Sequence, residues 1–154
     1  MYGVSRLDVY EEVALVTFRK IPSNLPLISD IFSRFAKEKI VIDMISQTAP
    51  AGEFVSISFT CMDSDMVKVL EISNELSQKY PQLKPMVSSG NCKIQLSGEE
   101  MRIASGVFSR ALSALSATGA ELQQITTSEV DISLLVPATR LDEAVRALNT
   151  SFEL

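Results

Sequence analysis

The chain has 154 residues, a net charge of −5 at neutral pH and no histidine. The missing histidine removes the commonest general base and metal ligand, and the scattered Lys and Arg residues make nucleic acid a poor partner. Two cysteines are too few for a disulfide framework, so we expect two reduced, buried thiols. The apolar runs are strand-sized and residues 1–6 form no hydrophobic signal region, so we expect a cytoplasmic protein without a membrane segment.

The glycines are dispersed at element boundaries instead of clustering in a phosphate-binding loop. No group of carboxylates, lysines or cysteines is arranged around a plausible nucleophile. We therefore expect neither catalysis nor a metal or organic cofactor.

The first half of the chain alternates between strand and helix patterns. Residues 2–9 suggest a short strand, and residues 12–20 suggest a firmer one because apolar side chains alternate there. A turn with two prolines at residues 22–26 precedes a helix. The helix has a single apolar stripe, made of Leu27, Ile28, Ile31, Phe32, Phe35 and Ala36.

Two strands, a helix and a further strand complete this half. Residues 40–48 and 53–60 are the two strands, with a Pro/Gly turn between them. We expect residues 63–65, with the sequence Asp-Ser-Asp, to cap the next helix, and Pro81 to close it. Residues 85–89 predict a brief strand, so the order β-α-β-β-α-β is complete near residue 89.

From residue 91 the pattern restarts. Residues 91–96 predict a strand, and Gly119 is expected at the C′ position of the helix that follows. The apolar stripe of this helix is Val107, Phe108, Ala111, Leu112 and Leu115. Residues 123–136 repeat the earlier sequence of strand, polar break and alternating strand. A last helix is expected to be capped by Thr139 with Asp142 three residues later.

Internal repetition predicts an α+β fold with two ferredoxin-like βαββαβ domains. The second repeat lacks its final strand, whereas residues 2–9 form a strand without a place in the first repeat. We therefore predict that the N-terminal strand completes the second domain. The predicted domains are residues 10–89, and residues 90–154 together with 2–9.

These residues resemble the ACT domain, a small-molecule-binding module, and the pair resembles the C-terminal regulatory region of aspartokinases. The segments that carry the resemblance are Ile42–Gln47, Ile57–Thr60, Met101–Arg102, Gly106–Val107, Thr126–Val130, Ile132–Ser133 and Ala144–Leu148. The resemblance implies an amino-acid-binding regulatory module without enzymatic activity, because nothing in the chain corresponds to the kinase domain. It also implies feedback sensing of lysine or threonine, a homodimer through the ACT domains, and an aspartokinase catalytic subunit as a candidate partner.

In that family the effector binds where ACT repeats meet, between a first-helix loop and a second strand. The helix N-terminus offers N–H groups to the effector carboxylate, and oxygen atoms receive its ammonium. Carried onto this sequence, the effector-binding residues are Ser23, Asn24, Leu25, Pro26, Met44, Ile45, Gln47, Thr48, Ser105, Gly106, Val107, Ile125, Thr126, Thr127, Ser128 and Glu129.

Simpler interpretations of these residues stay open. Gln47 and Thr48 could cap a strand end, residues 126–129 could be turn or interface residues, and Arg102 could be a solvated or salt-bridged loop charge. Ser23 and Pro26 stand where the family has Asp and Gly. The alternative function is therefore a structural dimerisation module with degenerate ligand loops. An acylphosphatase-like enzyme would need an Arg-bearing loop before the first helix, and this sequence has none there.

Overall fold

A computed structural model describes the whole chain from Met1 to Leu154. The strands are β1 (Arg6–Pro22), β2 (Ile45–Gln47), β3 (Phe54–Met62), β4 (Pro85–Ser97), β5 (Gln124–Thr127) and β6 (Asp131–Pro137). The helices are α1 (Leu25–Lys37), α2 (Met66–Lys79), α3 (Val107–Ser116) and α4 (Leu141–Phe152). Short 3₁₀ helices at residues 63–65, 99–102 and 138–140 precede α2, the loop before α3, and α4.

The chain divides into two compact units. The first unit is residues 12–89, and the second unit is residues 1–11 together with residues 90–154. Strands β1 and β4 each begin in one unit and end in the other. The predicted α+β fold is confirmed: the first unit has the βαββαβ order, and in the second unit the N-terminal strand supplies the strand that its βαββα repeat lacks.

In the first unit, β3 lies between β2 and β1 and pairs antiparallel with both, so that Phe59 is opposite both Val16 and Ile45. Helix α1 buries Leu27, Ile31 and Phe35 against this sheet, as its apolar stripe predicts. The rings of Phe32 and Phe35 each lie 5.4 Å from the ring of Phe59. This aromatic cluster anchors the helix to the middle strand.

In the second unit, β6 lies between β4 and β5 and again pairs antiparallel with both. Alternate residues of the two longer strands enter the core, because successive strand side chains point to opposite faces. Helices α3 and α4 cover the same face. The core members from these four elements are Ile94, Leu96, Ile132, Leu134, Val136, Val107, Ala111, Leu115, Ala144, Leu148 and Phe152.

The N-terminal segment, residues 3–5, packs against the rest of this second unit and is hydrogen-bonded to it. Val4 is only 1% exposed and belongs to its core, and the Ser5 N–H donates to the Ser97 carbonyl at 2.8 Å. Gly98 makes this approach possible: a Cβ added to Gly98 would lie 2.0 Å from the Gly3 carbonyl oxygen. The packing of residues 3–5 therefore depends on the absence of a side chain at residue 98.

Three strand predictions need correction. Residues 2–9 and 12–20 were expected to be separate strands, but β1 is continuous from residue 6 to residue 22, with Glu12 in a left-handed conformation (φ 58°) within it. Gly90 (φ 70°) likewise lies within β4, which joins the predicted strands 85–89 and 91–96. The predicted strand 40–48 is reduced to Ile45–Gln47.

The predicted helix ends also differ. Residues 63–65 and 138–140 form 3₁₀ turns. The N-cap of α2 is Asp65, whose side chain makes no capping hydrogen bond, and the N-cap of α4 is Arg140 instead of the predicted Thr139. Helix α3 ends at Ser116 with Ala117 as its C-cap, which places Gly119 one residue beyond the predicted C′ position. Gly119 still takes the left-handed conformation (φ 74°).

Candidate functional site

The candidate residues at the start of α1 are engaged in the local structure of the first unit. Asn24 is the N-cap, and its Oδ1 accepts the Leu27 N–H at 3.2 Å. The Ser23 N–H donates to the Glu53 carbonyl at 2.7 Å, which ties the turn to the start of β3. Pro26 lies in the first turn, where a missing N–H is tolerated, and Leu25 is 76% exposed. The side-chain oxygen of Asn24 therefore has a structural role as a helix cap.

The candidates around β2 are also part of the strand. The N–H of buried Met44 donates to the Thr60 hydroxyl at 2.9 Å, and Ile45 and Gln47 pair with β3. The Thr48 hydroxyl accepts the Ser56 N–H at 2.9 Å. For Thr48 this contact agrees with the simpler interpretation, a side chain that finishes a strand end.

Five candidates of the second unit, Gly106, Val107 and residues 127–129, line an open cleft of about 450 Å³. The cleft lies between the loop of residues 98–106, the start of α3, and the turn between β5 and β6. We call it the α3 cleft. Its lining residues are Met101, Arg102, Ala104, Gly106, Val107, Phe108, Thr127, Ser128, Glu129 and Ile132.

The α3 cleft carries one charged side chain of each sign. Arg102 forms an ion pair with Glu129, and its Nε donates to Glu99 at 3.2 Å. The side chains of Arg102 and Glu129 are 50% and 80% exposed, so water screens the pair. The prediction that Arg102 is a solvated or salt-bridged loop charge is confirmed, and the structure adds that this charge faces a cleft.

The start of α3 contributes a further polar surface. Gly106 is the N-cap in the left-handed conformation (φ 79°), and no side chain caps the helix there. The first N–H groups of an α-helix have no partner within the helix and carry a partial positive charge. The α3 cleft therefore has a positive wall formed by Arg102 and the helix start.

The opposite wall is the β5–β6 turn, which its own hydrogen bonds hold in place. The Ser128 N–H donates to the Asp131 carbonyl at 2.9 Å, and the Ser128 hydroxyl accepts the Val130 N–H at 3.2 Å. Thr127 pairs with Ile132 at the end of β5, and Glu129 projects from the tip. This wall presents carboxylate and hydroxyl oxygens.

Two further candidates, Ile125 and Thr126, do not line the α3 cleft, and Ser105 lies in a neighbouring one. Ile125 packs against the core opposite Leu134, and Thr126 is half-buried opposite Ser133. Ser105 lines a second cleft of about 710 Å³, which Arg110 and Tyr2 also line. In that cleft the Arg110 guanidinium lies 3.7 Å from the Tyr2 ring and donates to the Ser151 carbonyl at 3.0 Å.

Five residues of the α3 cleft were not among the sequence candidates: Met101, Arg102, Ala104, Phe108 and Ile132. Phe108 was assigned to the buried stripe of α3, but its side chain is 40% exposed. For Arg102 the signal was its place in a loop just before a helix start.

Other site types find no support in the structure. No group of three or more His, Cys, Asp or Glu residues is placed to hold a metal ion. None of the four helices combines the length and the apolar character needed to cross a membrane.

Comparison with known proteins agrees with this architecture. Residues 94–152 match the ACT domain family. The chain is 28% identical over 151 residues to the aspartokinase of Pseudomonas aeruginosa, covering 98% of this chain and 37% of that protein. It spans about a third of the length of the curated relatives it matches.

Solved structures give the same result over whole chains. One chain of a structure described as aspartokinase alpha and beta subunits matches with a TM-score of 0.88 and 26% identity, covering 98% of this chain and 99% of that one. The ligand-free regulatory subunit of aspartate kinase from Thermus thermophilus matches with a TM-score of 0.86 and 24% identity, covering 97% and 99%. Residues 94–152 thus match the ACT domain family, and over nearly its whole length the chain is similar to the regulatory portion of aspartokinases.

Proposed function

We propose that the chain is an amino-acid-binding regulatory module of the aspartokinase type, which senses lysine or threonine and is not itself catalytic. The observation that carries this proposal is the α3 cleft, which has a volume of about 450 Å³. One wall of the cleft is positively charged, and the opposite wall presents oxygen atoms. A free amino acid carries one carboxylate and one ammonium at neutral pH. The cleft offers a group of opposite charge to each.

The apolar part of the α3 cleft suits the rest of such a ligand. Met101, Val107, Phe108 and Ile132 provide a hydrophobic floor between the two polar walls. Ligand sites commonly combine an apolar lining with a few placed polar groups. An aliphatic side chain would be desolvated there while its backbone groups are held at the rim.

Thermal melts of the whole chain against a panel of amino acids test the proposal. A ligand that binds only the folded state stabilises it by about 2.7 kcal/mol at a hundredfold excess over Kd. For a chain of this length that corresponds to a rise in Tm of about 5–10 °C. A flat response to the entire panel, repeated by isothermal titration calorimetry, would refute amino-acid binding by this chain.

We further propose that the chain forms a homodimer through its ACT domains and acts on an aspartokinase catalytic subunit. This extension is supported by the match to a solved structure described as aspartokinase alpha and beta subunits. Co-purification with a separately expressed aspartokinase catalytic domain, with and without amino acid, tests the partner. Analytical ultracentrifugation of the chain alone tests the dimer.

A structural dimerisation module is the second candidate function. It is favoured by the first unit, where Asn24 caps α1 and Thr48 holds a strand end. On this alternative the ligand loops only shape an interface. A dimer whose association constant is unchanged by every amino acid in the panel would favour it over the first proposal.

A further inference from the structure

We propose that the second cleft, of about 710 Å³, binds a phosphate group through Arg110, either as inorganic phosphate or as a phosphate monoester. We call it the Arg110 cleft. It lies between α3, residues 2–3 and the end of α4. This inference goes beyond the proposed amino-acid site, because Ser109, Arg110 and Ser113 line this cleft and do not line the α3 cleft.

The first argument is that Arg110 has no counter-charge in the chain. Four other arginines form an ion pair with a carboxylate, namely Arg6, Arg34, Arg102 and Arg140. Arg110 is half-buried in the lining of a cleft, and it forms no such pair. A guanidinium group that is partly removed from water favours an anion as its neighbour.

The second argument is that the Arg110 side chain is held in place while most of its donors are unused. Its guanidinium carbon lies 3.7 Å from the centroid of the Tyr2 ring, and Nη1 donates to the Ser151 carbonyl at 3.0 Å. Stacking covers a flat face of the guanidinium, whereas its five N–H donors lie in the plane of the group. The bond to Ser151 is the only one that the side chain makes within the chain. An anion therefore meets donors whose orientation is already fixed.

The third argument is a set of serine hydroxyl groups that have no partner within the chain. Ser109 and Ser113 are four residues apart in α3, so they lie on one face of the helix, and Ser105 lies in the loop just before it. All three line the Arg110 cleft, and none of their hydroxyl groups makes a hydrogen bond within the chain. A helical serine can instead donate to a carbonyl of the preceding turn, as Ser73 and Ser116 do. The three hydroxyl groups in the cleft are therefore available to a ligand.

The number of donors indicates a phosphate and not a carboxylate. A carboxylate has two oxygen atoms, and the guanidinium fork satisfies both. A phosphate monoester presents three strong acceptor oxygens, so it can bind Arg110 and serine hydroxyl groups at the same time. Glu100 is the only other charged residue in the lining, and its carboxylate opposes the binding of an anion.

Isothermal titration calorimetry of the whole chain with inorganic phosphate, sn-glycerol 3-phosphate and acetate tests the proposal, at neutral pH and constant ionic strength. The main variants are Arg110→Gln and Arg110→Lys. The matched control is Arg146→Gln, because Arg146 is an exposed arginine of α4 that forms no ion pair and does not line the cleft. It changes the net charge by the same amount. Circular dichroism melts check that each variant is folded.

We expect Arg110→Gln to weaken phosphate binding about tenfold or more, which corresponds to about 1.4 kcal/mol. Arg110→Lys should bind with intermediate affinity, because an ammonium keeps the charge but lacks the planar fork. Arg146→Gln should bind as the unmodified chain does. Acetate should bind the unmodified chain at least about tenfold more weakly than phosphate.

Substitutions at exposed positions test the other parts of the cleft without disturbing the fold. Ser109→Ala should weaken phosphate binding about threefold, whereas Ser116→Ala, on the same helix but outside the cleft, should have no effect. Glu100→Gln should strengthen binding about twofold or more, because it removes a repulsive charge. Tyr2 is a positioning residue, so Tyr2→Ala should weaken binding and Tyr2→Phe, which keeps the ring, should restore it.

Three results would overturn the proposal. The first is that neither phosphate compound binds the unmodified chain. The second is an equal loss of affinity in Arg110→Gln and Arg146→Gln, which would be an effect of net charge alone. The third is acetate that binds as tightly as phosphate. If the site is present, tighter binding of sn-glycerol 3-phosphate identifies a monoester as its ligand, and tighter binding of inorganic phosphate identifies the free ion.

Discussion

Replacing Gly98 by alanine should detach the N-terminal segment from the second unit. The φ of Gly98 is 178°, which any residue adopts, so the effect of the change is steric. The new methyl group would lie 2.0 Å from the Gly3 oxygen and 3.1 Å from the Ser5 nitrogen. Both neighbours are backbone atoms, and only movement of residues 3–5 can relieve the overlap.

The expected loss follows from what residues 3–5 contribute. Val4 is 1% exposed, and burying a valine side chain stabilises the fold by about 1.5–3 kcal/mol. The hydrogen bond from Ser5 to Ser97 adds about 1 kcal/mol. Gly98→Ala should therefore lower the free energy of unfolding by about 3 kcal/mol, which corresponds to about 6–12 °C in Tm.

Urea denaturation followed by circular dichroism measures the loss, with two controls. Gly52→Ala tests backbone strain alone, because Gly52 has φ 64° and no atom within 4 Å of an added Cβ, and it should cost only about 1 kcal/mol. Val4→Ala should destabilise the unmodified chain but have little further effect on Gly98→Ala, because the segment has already left. A Gly98→Ala protein as stable as Gly52→Ala, or full additivity with Val4→Ala, would refute the steric argument.

Three other changes test local features. Asn24→Ala should lower the free energy of unfolding by about 1 kcal/mol in urea melts, whereas Asn24→Asp, which keeps a capping oxygen, should leave it near the unmodified value. If the two variants lose the same amount of stability, Asn24 does not act as a cap. Glu12 has a left-handed conformation within β1, which glycine adopts more easily and valine less easily than glutamate. Glu12→Gly should therefore leave the free energy of unfolding unchanged or raise it by up to about 1 kcal/mol, and Glu12→Val should lower it. A Glu12→Val protein as stable as the unmodified chain would contradict this conformation. Burial, then the charges of Asp65 and Asp63, raise the pKa of Cys61 to about 11. Cys61 should therefore resist iodoacetamide at pH 8 until urea is added, and rapid alkylation of Cys61 in the folded chain would disprove its burial. The stability that the protonated thiol contributes should be lost as pH rises from the ordinary thiol range through about 11.

Hydrophobic periodicity predicted most of the fold. The stripe of Leu27, Ile31 and Phe35 identified α1 and its buried face, because packing and pattern agree there. The repeated strand pairs predicted the two ferredoxin-like units and the place of the N-terminal strand. Long, regular patterns are reliable because one period accounts for many residues at once.

Features that depend on single residues were not predictable in the same way. The glycine at residue 90 predicts a break between two strands, and nothing in the sequence predicts an unusual backbone conformation at Glu12. Both residues take left-handed conformations inside continuous strands. Thr139 has a suitable side chain for a cap, but a 3₁₀ turn makes Arg140 the N-cap of α4, and its side chain makes no capping hydrogen bond. These outcomes depend on neighbours that the local sequence does not specify.

The candidate site divides in the same manner. The sequence indicated Gly106, Val107 and residues 127–129 through their resemblance to a family, and all of them line the α3 cleft. The exposure of Phe108 could not be predicted, because one exposed ring on an apolar helix has no periodic signature, and Arg102 offered only its place in a loop before a helix start as a signal.

The sharing of β1 between the two units has a consequence for synthesis on the ribosome. Residues 3–5 are made before the first unit, but their neighbours at residues 97–107 are made only after it. The first unit can form while Val4 and Ser5 still lack these neighbours, and a loop of about ninety residues must then close for them to dock. Residues 3–5 should therefore become protected from proteases later than the first unit, although they precede it in the chain.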